Sequence, residues 1–316
     1  MNIDRIINVP TGQVIIVNGE RGKLEMLSLA DYGADVNLNQ HKPVPDGLPL
    51  LPLTKKWVVT ISTQYGCSMG CEFCDVPKVG PGKNASPSDL NGQIDTALDL
   101  PGAPWATERL NVHFARMGEP TWNASVISCA RQLAVLFNMH PHPVVSTMMP
   151  RKNGQLEVFI RDWMNVKNVT FSGNAGLQIS VNSTDEAERQ RMFHGNACSL
   201  ERIAEIMRPY RPVGRKITLN FAVAGYTVDA ELLARLFNPE HFVCKLTPMH
   251  KTATAVAADI KTAGDYTQPE PYLEIEDNLK RTGFDVLVFI ASRDEDEGRI
   301  TCGNAILSGT EPRTLA

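Results

Sequence analysis

No apolar run in this 316-residue chain reaches the length needed to cross a bilayer, and no signal peptide opens it. The expectation is a cytoplasmic protein with no membrane-embedded part. There is no surplus of positive charge either: 31 Lys and Arg stand against 35 Asp and Glu, a net charge of −4. As a whole the chain advertises no polyanionic partner, although a local basic groove is compatible with that total. Cysteines are few and odd in number, seven in all, so a disulfide frame of the kind found in exported proteins is not expected. Internal repeats and low-complexity tracts are lacking as well. What is present is an ordinary globular balance, 43% hydrophobic and 21% charged, with length enough for a full core.

Three of the seven cysteines crowd into one short stretch, Gly66-Cys67-Ser68-Met69-Gly70-Cys71-Glu72-Phe73-Cys74. Their spacing is C-x3-C-x2-C, an aromatic residue precedes the last, and a strand-like run at 57–61 precedes the first. Gly66 and Gly70 let such a loop curl and leave backbone N–H groups to face the sulfurs. A closed metal site would need a fourth ligand close by. The next cysteine is Cys129, two expected elements away. Three thiolates fall one ligand short of the usual set for a [4Fe–4S] cluster, which leaves one iron open to an outside ligand. The alternatives are a zinc site completed by Cys129 or a distant histidine, and three unrelated buried thiols.

Around this loop the chain reads as a small β element followed by alternating strands and helices. Apolar runs at 13–18 and 23–30 flank Gly19-Glu20-Arg21-Gly22, a hairpin signal. Residues 37–53 are rich in Pro and Gly and read as a linker. The expected division is 1–53 for hairpin and linker and 54–316 for the main unit. Strands are expected at 57–61, 110–115, 143–147, 177–181, 217–223, 242–246 and 286–290. Helices are expected between them, including one over 123–138, where apolar residues recur at helical spacing. A βαβα order implies a parallel sheet with covering helices, with about six βα units, enough for a partial TIM-like (β/α)6 barrel. Functional residues should then follow the strand C-termini. Arg116-Met117-Gly118-Glu119-Pro120, Ser146-Thr147, Ser180-Val181-Asn182 and Thr247-Pro248-Met249-His250 all fall there. His113, inside the second strand, reads as a satisfied core residue, and the basic run at Arg208, Arg211, Arg215 and Lys216 as solvated surface.

The cysteine loop resembles that of the radical S-adenosylmethionine (SAM) enzymes. Ser62-Thr63-Gln64-Tyr65-Gly66-Cys67, Met117-Gly118-Glu119-Pro120, Ser146-Thr147, Ile179-Ser180-Val181-Asn182, Leu246-Thr247-Pro248 and Thr301-Cys302-Gly303-Asn304 make the chain, from about residue 13 to 307, similar to the RlmN/Cfr branch of that superfamily. That branch methylates adenine carbons in RNA. The resemblance implies a partial barrel, a [4Fe–4S] cluster on Cys67, Cys71 and Cys74, and SAM bound to the open iron. It implies SAM contacts from Gly118, Glu119, Ser146, Ser180, Val181, Asn182 and His250; the family usually has asparagine at this last position. It further implies an electron donor such as flavodoxin or ferredoxin, and Cys302 as the thiol that carries a methyl group to the acceptor. Homolytic cleavage of SAM would give a 5′-deoxyadenosyl radical, the species needed because an electron-poor adenine carbon does not attack a sulfonium.

Two departures bear on the acceptor. The family's second cysteine, seven residues before the first cluster cysteine, is Thr60 here, and a hydroxyl is a far weaker nucleophile than a thiol. The family's N-terminal RNA-binding module is also missing from this sequence. A small molecule or nucleotide is therefore expected as acceptor, with RNA as the other option. Two further readings remain open: a radical SAM enzyme that acts directly on a small molecule or peptide without a methyl carrier, and a non-catalytic metal-binding protein.

Overall fold

The computed structural model describes residues 1–32, 49–250, 252–260, 272–290 and 305–308. In chain order the strands are β1 (Asn2–Val9), β2 (Gly12–Gly19), β3 (Gly22–Ala30), β4 (Trp57–Ile61), β5 (Gln64–Gly66), β6 (Pro81–Asn84), β7 (Leu110–Phe114), β8 (Pro141–Thr147), β9 (Gly176–Ser180), β10 (Ile217–Val223), β11 (Phe242–Pro248) and β12 (Asp285–Val288). The α-helices are α1 (Pro87–Leu98), α2 (Ser125–Gln132), α3 (Leu156–Asn165), α4 (Glu186–Met192), α5 (Leu200–Met207), α6 (Ala230–Leu236), α7 (Ala253–Ala257), α8 (Tyr272–Arg281) and α9 (Ala305–Ser308).

Ten strands form one sheet in the order β1-β2-β3-β4-β7-β8-β9-β10-β11-β12. From β4 to β12 every neighbouring pair is parallel. The first three strands join antiparallel at the β4 edge. Among the described residues the sheet is not closed, as a partial barrel requires. The small β5–β6 hairpin stands apart and carries the cysteine loop between its strands.

Alternation along the parallel strands explains the curl. One face is apolar and fully buried: Trp57, Val59 and Ile61 on β4, Leu110, Val112 and Phe114 on β7, and Ile217, Leu219 and Phe221 on β10 all belong to the main core under the helices. The other face points into the barrel lumen and is half-buried and largely polar: Thr60, His113, Ser146, Gln178, Ser180, Thr218, Asn220 and Thr247. Parallel strands whose two faces differ this much cover their apolar side with helices and leave the polar side to line a cavity.

Helix ends follow their local chemistry. Ser86 caps α1 through a full capping box with Asp89, and Pro87 stands in its first turn. The helix expected over 123–138 is shorter. It runs as α2, then breaks into two 3-10 turns (Leu133–Val135 and Phe137–Met139), with Leu136 outside the helical region and His140 left-handed at φ 44°. The apolar stripe continues, but the backbone turns early to start β8 at Pro141.

Candidate active site

The strand C-termini of the barrel carry a set of loops, and the cysteine loop is laced to them by hydrogen bonds. Gln64, on β5, is the central knot. Its Oε1 accepts from the Glu119 backbone N–H at 3.0 Å and from the Ser68 hydroxyl at 3.2 Å, while its Nε2 donates to Asn84 Oδ1 at 2.9 Å. One buried side chain thus joins β5, β6, the cysteine loop and the loop after β7. Asn123 repeats the device, donating to the carbonyls of Thr63 (2.9 Å) and Ala85 (2.8 Å). On the far side, Asn196 donates to the Met69 carbonyl at 3.0 Å, and Thr252 donates to that of Phe73 at 2.6 Å. Asp75 accepts from the Thr254 N–H at 3.0 Å.

Within the loop Cys71 lies close enough to Cys67 and Cys74 to feel both thiols, and burial, the largest cause, pushes its own thiol well up. Burial likewise raises Cys67, to about 11, against the backbone N–H groups of Met69, Gly118 and Gly70, which point at its sulfur. Met69, Met148, Met192 and Phe193 form an apolar bed on which Cys67, Cys71 and Phe73 rest, and Cys71 Sγ lies 3.9 Å from Met148 Sδ. An open hollow of 310 Å³ adjoins Cys71 and Cys74, lined also by Lys78, His194 and Ala257.

Glu119 is buried below this loop. Its Oε1 accepts from Thr147 Oγ1 (2.7 Å), Thr121 Oγ1 (2.8 Å) and the Thr121 N–H (3.1 Å), and its Oε2 from the Met148 N–H (3.0 Å). Burial raises its pKa, opposed by those same donors. Oε2 keeps acceptor capacity for one more donor. Gly118, next to it, has φ +92°, and its missing side chain makes room for Gln64.

The structure therefore brings Cys67, Cys71, Cys74, Gly118 and Glu119 together at one end of the barrel. Ser146, half-buried on β8, precedes the Thr147 that binds Glu119. Ser180 ends β9, followed by buried Val181 and by Asn182, which at φ +61° accepts from the Ala222 N–H (3.0 Å) and reaches Met192 Sδ at 3.5 Å. His250 stands just past β11, with its carbonyl accepting from the Thr252 N–H at 2.9 Å. Cys302 lies outside the described residues, and with it the thiol expected to carry a methyl group. Gln64 and Thr147 lie inside motifs read from the sequence, a reading that assigns them no role of their own, while Asn123 and Asp75 flank the motifs; all four are buried polar side chains, which must find partners.

Among the described residues no three His, Cys, Asp or Glu side chains converge as one ion's ligands do. Three soft thiols on one short loop are the donor type that an iron–sulfur cluster takes, each thiolate on its own iron. Cys129 packs in the main core on α2, as do Cys198 just before α5 and Cys244 on β11, and not against the loop.

No protein-family profile matches the chain. The Dual-specificity RNA methyltransferase RlmN of Sorangium cellulosum is 27% identical over 259 residues, covering 80% of this chain and 62% of that protein. A Probable dual-specificity RNA methyltransferase RlmN of Deinococcus deserti is 27% identical over 267 residues, 81% of this chain and 72% of its own. The RlmN of Anaeromyxobacter dehalogenans is 28% identical over 202 residues, and the chain spans only 50% of it. Among solved structures, a radical SAM methyltransferase from Sphaerobacter thermophilus superposes with a TM-score of 0.64 at 20% identity, covering 94% of this chain and 79% of that one. Over four fifths of its length the chain is thus similar in sequence to RlmN proteins, and over nearly all of it its fold matches that of a radical SAM methyltransferase.

Proposed function

We propose that the protein is a radical SAM enzyme that methylates an sp2 carbon of adenine type, with a small molecule or nucleotide as acceptor. The supporting observation is the joint placement of three neighbouring thiols and of buried Glu119, whose Oε2 accepts only one hydrogen bond among the described residues, where the parallel strands end. In this reading residues 54–316 form the catalytic barrel and 1–53 an appended β element.

Cys67, Cys71 and Cys74 would hold three irons of a [4Fe–4S] cluster, and the apolar bed of methionines and Phe193 keeps water from it. When bound, such a cluster with SAM on its open iron supplies an electron to the sulfonium and a 5′-deoxyadenosyl radical. Glu119 Oε2 accepts from the SAM ammonium group; Gly118 lets the backbone come close. Ser146, Ser180, Val181, Asn182 and His250 line the adenosine side. Cys302 carries the methyl group. A flavodoxin- or ferredoxin-like donor approaches over the hollow beside Cys71 and Cys74, and the need for reduced iron assigns the protein to the cytoplasm. No described helix is long and apolar enough to cross a membrane.

A second reading, direct radical chemistry on the acceptor with no methyl carrier, is favoured by Thr60. Its hydroxyl occupies the inner face of β4 where the family has a thiol. One experiment separates them. Anaerobic incubation with SAM, a reductant and nucleotide extract is read by mass spectrometry. Methyl transfer gives both 5′-deoxyadenosine and S-adenosylhomocysteine, and Cys302→Ala abolishes the second. Deoxyadenosine without S-adenosylhomocysteine selects the direct route, and neither product overturns the reading.

A further inference from the structure

Below the strand C-termini the barrel lumen is polar, and its polar groups are unspent. Among the described residues His113, Gln178, Thr218 and Asn220 make no side-chain hydrogen bond, and none of them has an undescribed partner. At the N-terminal end of the strands the lining turns cationic. Arg109 Nε donates to Asn111 Oδ1 at 3.0 Å, beside His142, the register partner of Asn111. Arg215, exposed at the rim, leans over the mouth: its Nη1 stands 3.3 Å from where a Cβ of Gly176 would be, so the missing side chain of this glycine gives the guanidinium its berth. Arg215 donates to the Asn174 carbonyl at 3.3 Å. Neither guanidinium has an ion-pair partner among the described residues, and Asp31, the carboxylate that acts on Arg109 and His113, is itself paired with Lys56. The Nδ1 atom of His142 is buried with no hydrogen-bond partner.

We propose that this lower lumen is an anion site, in which Arg109, Arg215 and His142 grip the phosphate of a small phosphorylated substrate lying along the barrel axis. Two guanidiniums that act on one another stand here beside a neutral imidazole, and Asp31, the one carboxylate acting on Arg109, is already paired with Lys56, so an anion would relieve their repulsion. Phosphate is the anion whose oxygens match the forked donors of arginine. The geometry sets the substrate's length. From His142 to Thr147, which binds Glu119, β8 climbs five residues, roughly 16 Å at about 3.3 Å per residue. A nucleotide with its phosphate down and its base up fits that path. The inference deepens the reading of a nucleotide-sized acceptor and rests on it for the upper half of the lumen alone.

The test needs neither cluster nor SAM. Inorganic phosphate and adenosine 5′-monophosphate are titrated into the full chain by calorimetry at low salt. Both are expected to bind, and Arg109→Gln and Arg215→Gln each to weaken binding at least tenfold. Lys216→Gln, at the same end of the barrel but paired with Asp285, should leave it unchanged. Absence of heat up to about 10 mM ligand, a range that reaches beyond millimolar affinity, overturns the site. So does wild-type binding by both arginine variants, or an equal loss in Lys216→Gln. Should the variants misfold, phenylglyoxal labelling of the wild-type chain reads the same contact: phosphate must shield Arg109 and Arg215 but not Arg235, which is exposed like Arg215 but lies on α6 away from the site, and no shielding again overturns it. Phosphate binding without deoxyadenosine formation leaves the site intact and sinks only the radical chemistry.

Discussion

Gly118 and Gly70 flank the same site and answer to different constraints. Both have positive φ, +92° and +71°. A Cβ on Gly118 would stand 2.5 Å from the Gln64 Cβ and 2.8 Å from its backbone nitrogen, whereas one on Gly70 meets nothing within 4 Å. Gly70→Ala therefore carries only the left-handed penalty, about 1 kcal/mol. Gly118→Ala adds overpacking against backbone, for a total of roughly 3 kcal/mol. Urea unfolding of the two variants checks the difference, and equal losses would contradict the packing argument. Gln64 carries a third prediction. Removing it in Gln64→Ala strands the buried Glu119 N–H, at about 1–3 kcal/mol, while exposed Asn84 Oδ1 turns to water. It also unties the cysteine loop from Glu119. Iron bound after anaerobic reconstitution should then fall well below the wild-type content even where the variant is folded; full iron content would show that the loop holds its shape without this knot.

At the scale of elements, the N-terminal strands do more than extend the sheet. Glu25 on β3 is fully buried, ion-pairs with buried Arg116 of the loop after β7, and accepts from the Ala305 N–H at 2.6 Å. Ala305 also packs on Val14, Ile16, Leu27 and Leu29. One carboxylate therefore fastens α9 to the loop that ends in Glu119. Removing one partner of a buried pair is costly, so Glu25→Ala should lose roughly 3 kcal/mol in urea. The Ala305 amide should lose its protection from hydrogen exchange ahead of the core strands. Protection equal to that of the core would show that apolar contact alone holds α9. None of this long-range tie was legible in the sequence, where Glu25 is one acid in an apolar run. The elements themselves were legible wherever burial leaves a period. β4 and β10 have the ends expected for them, because each keeps a clean alternation of buried positions. β1 escaped notice because it has no fully buried residue to set a period. The helix over 123–138 was overdrawn because an apolar stripe does not record the backbone turn at Leu136.

For the molecule as a whole, the two faces of the barrel have opposite chemistry, and the lumen is the half that a one-dimensional reading misjudges. A polar residue at every second strand position looks the same in sequence whether it meets solvent, a satisfied core or a cavity. His113 shows the difference: expected to be a satisfied core residue, it faces the lumen without a hydrogen bond, because Val112 and Phe114 on either side take the helix-covered face. The consequence is measurable as pH-dependent stability. In the folded chain burial first, then Lys245 and Arg215 with a smaller push from Lys56, and against the pull of Asp31, lower the pKa of His113 to about 3. Burial, Arg109, Arg215 and His140 lower that of His142 to about 4, against a hydrogen bond with the Asn174 backbone. In the unfolded chain both take a proton near pH ~6.5. Between the folded and unfolded values the unfolded state holds more protons, so these histidines favour folding fully above about 6.5 and progressively less as the pH falls. Carboxylates of ordinary pKa contribute little above about pH 5, and Glu119, whose pKa burial raises, is common to the two proteins compared, so their difference from about pH 6.5 to 5 belongs to the histidines. The urea midpoint of the wild-type chain should drop across that window, and the double variant His113→Asn, His142→Asn should hold it nearly flat. The same slope in both proteins would mean that water or an anion already stabilises the charged imidazoles. Adding phosphate to the wild-type chain should shrink the slope in the same way, since an anion between Arg109 and Arg215 favours the protonated form of His142 and raises its folded pKa toward the unfolded value.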